Sequence, residues 1–205
     1  EPKAVEGLQF VADLTNKYHV CPDARTRQSM SDSQLFLSQR LGMVFGLRAM
    51  TPTYREAPFD WDVCYIPSGA ENVISGWSGT VGLAINQKCK NPEAAFKFIE
   101  FLAGEEGQKA QTELGFSLPI YKSMANTDVF LQPGQKPESA EVFIKSAEKQ
   151  LATPNTWLPN KKWWDDLNNQ LSDVWDGSMS AADAMNAIKD TIEKDIREGN
   201  PQLFE

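Results

Sequence analysis

The chain has 205 residues, a net charge of −8 and 41% hydrophobic content, enough to bury a core as one large domain or two small lobes. The acid excess leaves no basic stripe to neutralise phosphates, which excludes a nucleic-acid partner and disfavours an anionic membrane surface. No apolar run approaches the roughly 20 residues needed to span a bilayer.

In chain order, Pro2 to Tyr18 predicts a helix with Val5, Leu8 and Ala12 on one face and Phe10 and Leu14 beside them. Val20-Cys21-Pro22 ends it. Ser31 or Asp32 caps a second helix, carrying Leu35 and Phe36 and running to about Arg40. Leu41 to Gly46 is an apolar run closed by glycine, expected as a buried strand. Leu47 to Pro58 is irregular or briefly helical. Asp60 to Ile66 alternates Trp61, Val63 and Tyr65 against a mixed face, the pattern of a strand turned off by Pro67-Ser68-Gly69.

The most informative stretch is Ser75 to Leu102. Gly76-Trp77-Ser78-Gly79 sets a large aromatic between glycines, which presents a ring at a surface. Thr80 to Ile85 then predicts a third strand, with Val81, Leu83 and Ile85 on one face and the small Gly82 and Ala84 on the other, so covered on both sides. Asn91 offers an N-cap, Pro92 the first helical position and Gly104 the stop, with Ala95, Phe98, Ile99 and Leu102 as the inward stripe. Glu105 to Leu114 is a further helix stopped by Gly115, followed by an extended Phe116 to Ile120.

Glu138 to Leu151 is helical with Val142, Phe143 and Ala147 inward, and Thr153 to Lys162 is a proline-punctuated loop. Lys162 to Trp175 is a helix ended by Gly177. The last helix is capped by Ser180, with Asp183 three residues on as in a capping box, and carries Met185, Ile188, Ile192 and Ile196 inward up to Gly199. The expectation is therefore a helix-rich α/β chain with about seven helices and three short strands.

Enzyme chemistry finds little footing. A glycosidase needs two carboxylates facing each other across roughly 5–9 Å; Asp60/Asp62, Glu105/Glu106 and Asp165/Asp166 are better read as solvated surface pairs. His19, the single histidine, sits at a helix end. No serine elbow, phosphate-cradling glycine loop or metal cluster occurs, so the sequence calls for no enzyme activity, no cofactor and no metal. Cys21, Cys64 and Cys89 make neither a metal spacing nor a disulfide framework.

Five stretches in order resemble the C-terminal half of the extracellular solute-binding proteins of bacterial ABC importers, the carbohydrate-binding family that includes maltose-binding protein. They are AVEGLQFVADLTNKYHV, FLSQRLGM, FDWDVCYIPSG, GWSGTVGLAINQKCKNPEAAFKFIEFLAGEEGQ and DVWDGSMSAADAMNAIKDTIEKDI. The resemblance implies a type II periplasmic-binding-protein-like clamshell, extracytoplasmic (in the periplasm or lipid-anchored at the outer face of the cell membrane), that takes a sugar or oligosaccharide in an inter-lobe cleft and delivers it to ABC permease subunits. By the same resemblance, residues 1–76 and 126–205 belong to the C-terminal lobe and 77–125 cross into the N-terminal lobe. The chain then reads as a C-terminal fragment whose exposed apolar faces predict self-association. Two departures from the family pattern stand out: Gln39 occupies a usual glycine, and Arg48 a place where relatives carry tryptophan.

The site implied lies at the cleft. Rings cover the C–H faces of sugars, and polar side chains satisfy the hydroxyls. Trp77, flanked by Gly76 and Ser78, is the leading candidate. Trp157 fits contact and packing equally. Trp163 and Trp164 are adjacent and cannot share a helix face, with Trp163 expected to face the ligand. Asn160, Ser78 and Tyr54 are hydroxyl or ring partners, and Arg48 suits a hydroxyl or a carboxylate, leaving an anionic solute as an alternative ligand. A helical protein-interaction domain is the alternative outside this family.

Overall fold

The structure, a computed structural model, describes residues 1–68, 79, 81–149, 158 and 160–203. Its helices are α1 (Pro2–Asn16), α2 (Ala24–Ser29), α3 (Asp32–Leu37), α4 (Thr51–Tyr54), α5 (Pro92–Ala103), α6 (Glu105–Glu113), α7 (Lys122–Ala125), α8 (Asp128–Leu131), α9 (Glu141–Glu148), α10 (Lys162–Trp175) and α11 (Ala181–Gly199). All seven helices expected from the sequence are present. The four additional ones, α2, α4, α7 and α8, have four to six residues, too short to display a repeating apolar stripe. Packing divides the chain into two units, Glu1–Leu35 with Ala152–Glu205, and Phe36–Leu151.

The first unit is a helical assembly of α1, α10 and α11. Its core consists of Ala12, Leu171, Val174, Ala181 and Ala184, with Val5, Leu8, Leu167, Met179 and Met185 packed against it. Small residues on α11 let the helices approach closely. The ends are fixed as the sequence proposes: the Ser180 hydroxyl accepts from the Asp183 N–H at 3.1 Å and donates to its carboxylate at 2.6 Å. Gly177 closes α10 with φ +83°, the left-handed conformation that favours glycine. Asn16 packs against it and donates to the Val174 carbonyl at 3.2 Å, covering an orphan carbonyl of that helix end. Ser31, not Asp32, caps α3: its hydroxyl accepts from the Gln34 N–H, and the Gln34 side chain accepts from the Ser31 N–H at 2.8 Å.

In the second unit, α5 and α6 form a tight corner. Gly104 ends one helix and begins the next, and a Cβ on Gly107 would lie 2.2 Å from the Phe101 carbonyl oxygen, so only glycine permits this approach. Gln108 and Gln111 both donate to the Leu102 carbonyl, at 2.9 and 3.2 Å. Elsewhere in the unit Phe36, Tyr54, Phe59 and Trp61 form an edge-to-face cluster with centroids 5.1–5.8 Å apart, the favoured geometry for aromatic pairs.

The three expected strands are a correction. Among the described residues no strand is formed. Residues 41–46 and 61–66, and the described residues 81–85 of the third, take no regular secondary structure and have no ladder partners among the described residues. Nor are two of them buried: Met43 is 87% and Val81 89% exposed. The alternation in 61–66 is real, with Trp61, Val63 and Tyr65 half-buried and their neighbours exposed. Periodicity reports which way side chains point; a strand also requires a second chain segment to hydrogen-bond it. The inward stripe of α5 shares this condition. Ala95, Ile99 and Leu102 face Leu83 and Ile85 across an open apolar groove of about 450 Å³, and Phe96, Phe98 and Phe101 are exposed.

Candidate functional site

The sequence candidates fall in three places. Gly76, Trp77, Ser78 and Trp157 lie outside the described residues. Arg48 and Tyr54 belong to the second unit, Asn160 and Trp163 to the first.

Arg48 sits in a short 3-10 turn, Arg48–Met50, and is 4% exposed. Its guanidinium stacks over Phe130 (4.7 Å) and Phe143 (5.6 Å) and donates to the Phe130 carbonyl at 3.2 Å. Its Nε and Nη1 are buried without a hydrogen-bond partner among the described residues. Burial, and secondarily the charge of Arg55, push its pKa down from the ordinary arginine value to about 10. Arg55 donates to the Lys136 carbonyl and to the Gln132 side chain, which in turn donates to the Glu113 carbonyl. The two arginines therefore clasp the turn from Phe130 to Lys136, in which Gln132 and Gly134 take positive φ. Asp62 extends the clasp, accepting from the Ser139 N–H and hydroxyl at 3.0 and 2.7 Å. Sequence reading missed this arrangement because it joins segments about 80 residues apart with no shared motif. Tyr54 is likewise buried, within the aromatic cluster, with its hydroxyl 3.4 Å from the Met50 sulfur.

At the start of α10, one tryptophan turns in and one out, as adjacency demands. Trp163 is the inner ring at 7% exposure, with its indole N–H buried and without an acceptor among the described residues, and Trp164 is the more open one. Their rings meet edge to face at 5.4 Å. Lys162 beside them bridges Asp166 (2.7 Å) and the buried Asp195 (2.8 Å). Hydrogen bonds to Asp166, then Asp195, raise the Lys162 pKa above its ordinary value. Asn160 accepts from the Lys162 N–H at 3.0 Å through its side-chain oxygen. It therefore satisfies the first N–H of α10 from the position before the N-cap residue Lys161.

Two open grooves accompany these elements: the one on α5, and one on the first unit lined by Val5, Leu8, Leu167, Met185, Ile192 and Ile196. Neither carries an aromatic platform with converging polar groups, the chemistry a sugar requires. No group of acidic, histidine or cysteine side chains suited to a metal occurs among the described residues, and no described helix is long and apolar enough to cross a membrane.

Over residues 1–109, more than half of the chain, the sequence matches the family of bacterial extracellular solute-binding proteins. The chain belongs to that family. An extracytoplasmic location follows from this membership. This solute-binding protein is 29% identical over 153 residues to maltooligosaccharide ABC transporter solute-binding lipoproteins from two strains of Streptococcus pneumoniae, a match covering 71% of the chain and 34% of each relative. In structure it resembles an ABC substrate-binding protein from Listeria monocytogenes in complex with cycloalternan, with a TM-score of 0.72 at 20% identity, over 95% of this chain and 49% of that one. The fold is that of the substrate-binding proteins. The chain spans about a third of the length of the curated relatives it matches and about half of that solved structure.

Proposed function

We propose that the protein is the substrate-binding component of an ABC importer, taking an oligosaccharide into an inter-lobe cleft and passing it to permease subunits without chemical change. Family membership carries the binding role. The relatives' naming for maltooligosaccharide transport, together with six tryptophans in 205 residues, supports a sugar ligand. Residues 1–76 and 126–205 serve the C-terminal lobe and 77–125 the N-terminal one. Trp77, with Gly76 and Ser78 at its turn, supplies the leading stacking surface, with Trp157 and Trp163 contributing from the other end of the chain. Arg48 and Tyr54 act from behind the surface, by holding the walls that carry the site. The anionic alternative loses its main rationale, since the Arg48 guanidinium is stacked under two phenyl rings. Surface attachment through a lipid, as the name of the relatives indicates for them, fits the same role.

Calorimetry of the full-length protein with maltotriose, glucose and trigalacturonate tests this reading. The expected result is saturable binding of maltotriose, weakened about tenfold, or 1.4 kcal/mol, by Trp77→Ala. Binding confined to trigalacturonate, or no binding to any α-glucan, overturns the ligand assignment.

A further inference from the structure

Asn160 has the features of a polar loop residue reaching for ligand hydroxyls, yet its side-chain oxygen is taken by the protein and its side chain packs against the end of α11. The oxygen accepts from the Lys162 N–H at 3.0 Å. The remainder of the side chain lies against the end of α11, where a Cβ on Gly199 would stand 2.7 Å from the Asn160 Cγ and 2.8 Å from its Nδ2. The Asn160 backbone N–H donates to the Asn200 side chain at 3.4 Å, and Asn200, fully buried, donates to the Ile196 carbonyl at 3.0 Å. One turn earlier on α11, Asp195 receives Lys162. Five residues thus join the first turn of α10 to the last turns of α11, and Trp163 is the next residue along.

We propose that Asn160 is a positioning residue. Its seat on Gly199 and Asn200 sets the place of the first turn of α10, and with it the Trp163 ring, while Asn160 itself makes no contact with the ligand. The indole N–H of Trp163, buried without an acceptor among the described residues, is the group whose placement this joint controls. The inference rests on the proposed sugar-binding role but concerns a different residue and a different kind of contribution.

Three variants of the full-length protein test this with maltotriose as probe. Asn160→Asp keeps the accepting oxygen and removes the amide donor; its Kd is expected within about twofold of the unsubstituted protein. Gly199→Ala inserts the Cβ that Asn160 blocks and is expected to raise Kd at least tenfold. Should Gly199→Ala fail to fold, Asn200→Ala withdraws the acceptor from the Asn160 N–H without a clash, and a threefold or greater rise in Kd is expected with unchanged far-UV circular dichroism. Asn200 is buried and cannot touch a ligand, so a change in Kd there reports position alone. A tenfold loss in Asn160→Asp, or an unchanged Kd in folded Gly199→Ala and Asn200→Ala, overturns the proposal. If the unsubstituted protein binds no maltotriose, the sugar reading fails by itself. The joint is then read by acrylamide quenching: Gly199→Ala and Asn200→Ala should increase it, and the increase should vanish in a Trp163→Phe background. Unchanged quenching refutes the joint.

Discussion

Replacing Arg48 separates the cost of its charge from the value of its packing. Arg48→Met forfeits a charge-assisted hydrogen bond to the Phe130 carbonyl, about 1.5–3 kcal/mol. It also forfeits stacking on Phe130 and Phe143, about 2 kcal/mol in a dry site. The 3.5 Å contact to Gln132 is too long to add much. Against this, the substitution removes two buried nitrogens without acceptors among the described residues, about 1–3 kcal/mol each, and the repulsion from Arg55. Methionine also regains about 0.3–1.5 kcal/mol of sulfur–aromatic contact. The opposing sums nearly cancel, so Arg48→Met should fall within about 2 kcal/mol of the unsubstituted chain. Arg48→Ala adds an unfilled volume and should be about 2–5 kcal/mol worse than Arg48→Met. Urea unfolding followed by circular dichroism measures both. Equal, large losses for Met and Ala would refute the reasoning, because they would mean that the charge itself stabilises the fold. The pH dependence gives a second reading. With its folded pKa held to about 10, below the ordinary arginine value, Arg48 is more protonated in the unfolded chain across that interval. Stability attributable to it therefore rises with pH there, and the rise should be absent from Arg48→Met.

Three further outcomes are expected. Gln39 carries φ +61°, so Gln39→Gly should raise stability by about 1 kcal/mol in thermal unfolding; a loss would show that its side chain compensates the backbone. For Asp62, burial acts to raise the carboxyl pKa but is outweighed by the hydrogen bonds from Ser139 and Val63 and the charge of Lys136, leaving a lowered value. Its contribution is thus complete above the ordinary 3.8 and lost as pH falls through the folded value; the acid limb of a stability–pH curve should flatten in Asp62→Asn, and an identical limb would exclude it. The 205-residue chain by itself should self-associate through its exposed α5 phenylalanines, and Phe96→Ser with Phe98→Ser and Phe101→Ser should shift sedimentation toward monomer. A monodisperse unsubstituted monomer would count against this.

What was legible in the sequence was local. Ser180 and Asp183 announce the start of α11, Gly177 and Gly115 the ends of their helices, and Val5, Leu8 and Ala12 the inner face of α1, because caps, left-handed glycines and apolar spacing act within a few residues. The seven expected helices follow from such signals. Strands at 41–46, 61–66 and 80–85 did not, since their existence depends on partners that no local pattern encodes. The site shows the same division. Adjacency required Trp163 and Trp164 to face opposite ways, but which one turned inward depended on packing that their own spacing does not fix. Arg48 was marked as unusual by its position in the family pattern, while its stack under Phe130 and Phe143, 82 and 95 residues further on, had no signal to read.

The open segment at 81–86 has a bearing on the order in which this protein takes shape. The α5–α6 corner is built from neighbours in sequence, with Gly104, Gly107 and Gln108 meeting Phe101 and Leu102, and contacts of such short range form quickly. The segment before it gains no hydrogen-bonding neighbour from that corner. It waits, with Val81 and Leu83 in water, for a distant stretch of polypeptide to arrive. During that interval the helices are finished and the strand is not. The hazard to a newly made chain then includes this unpartnered segment, a place where a chaperone or a second nascent copy would find purchase.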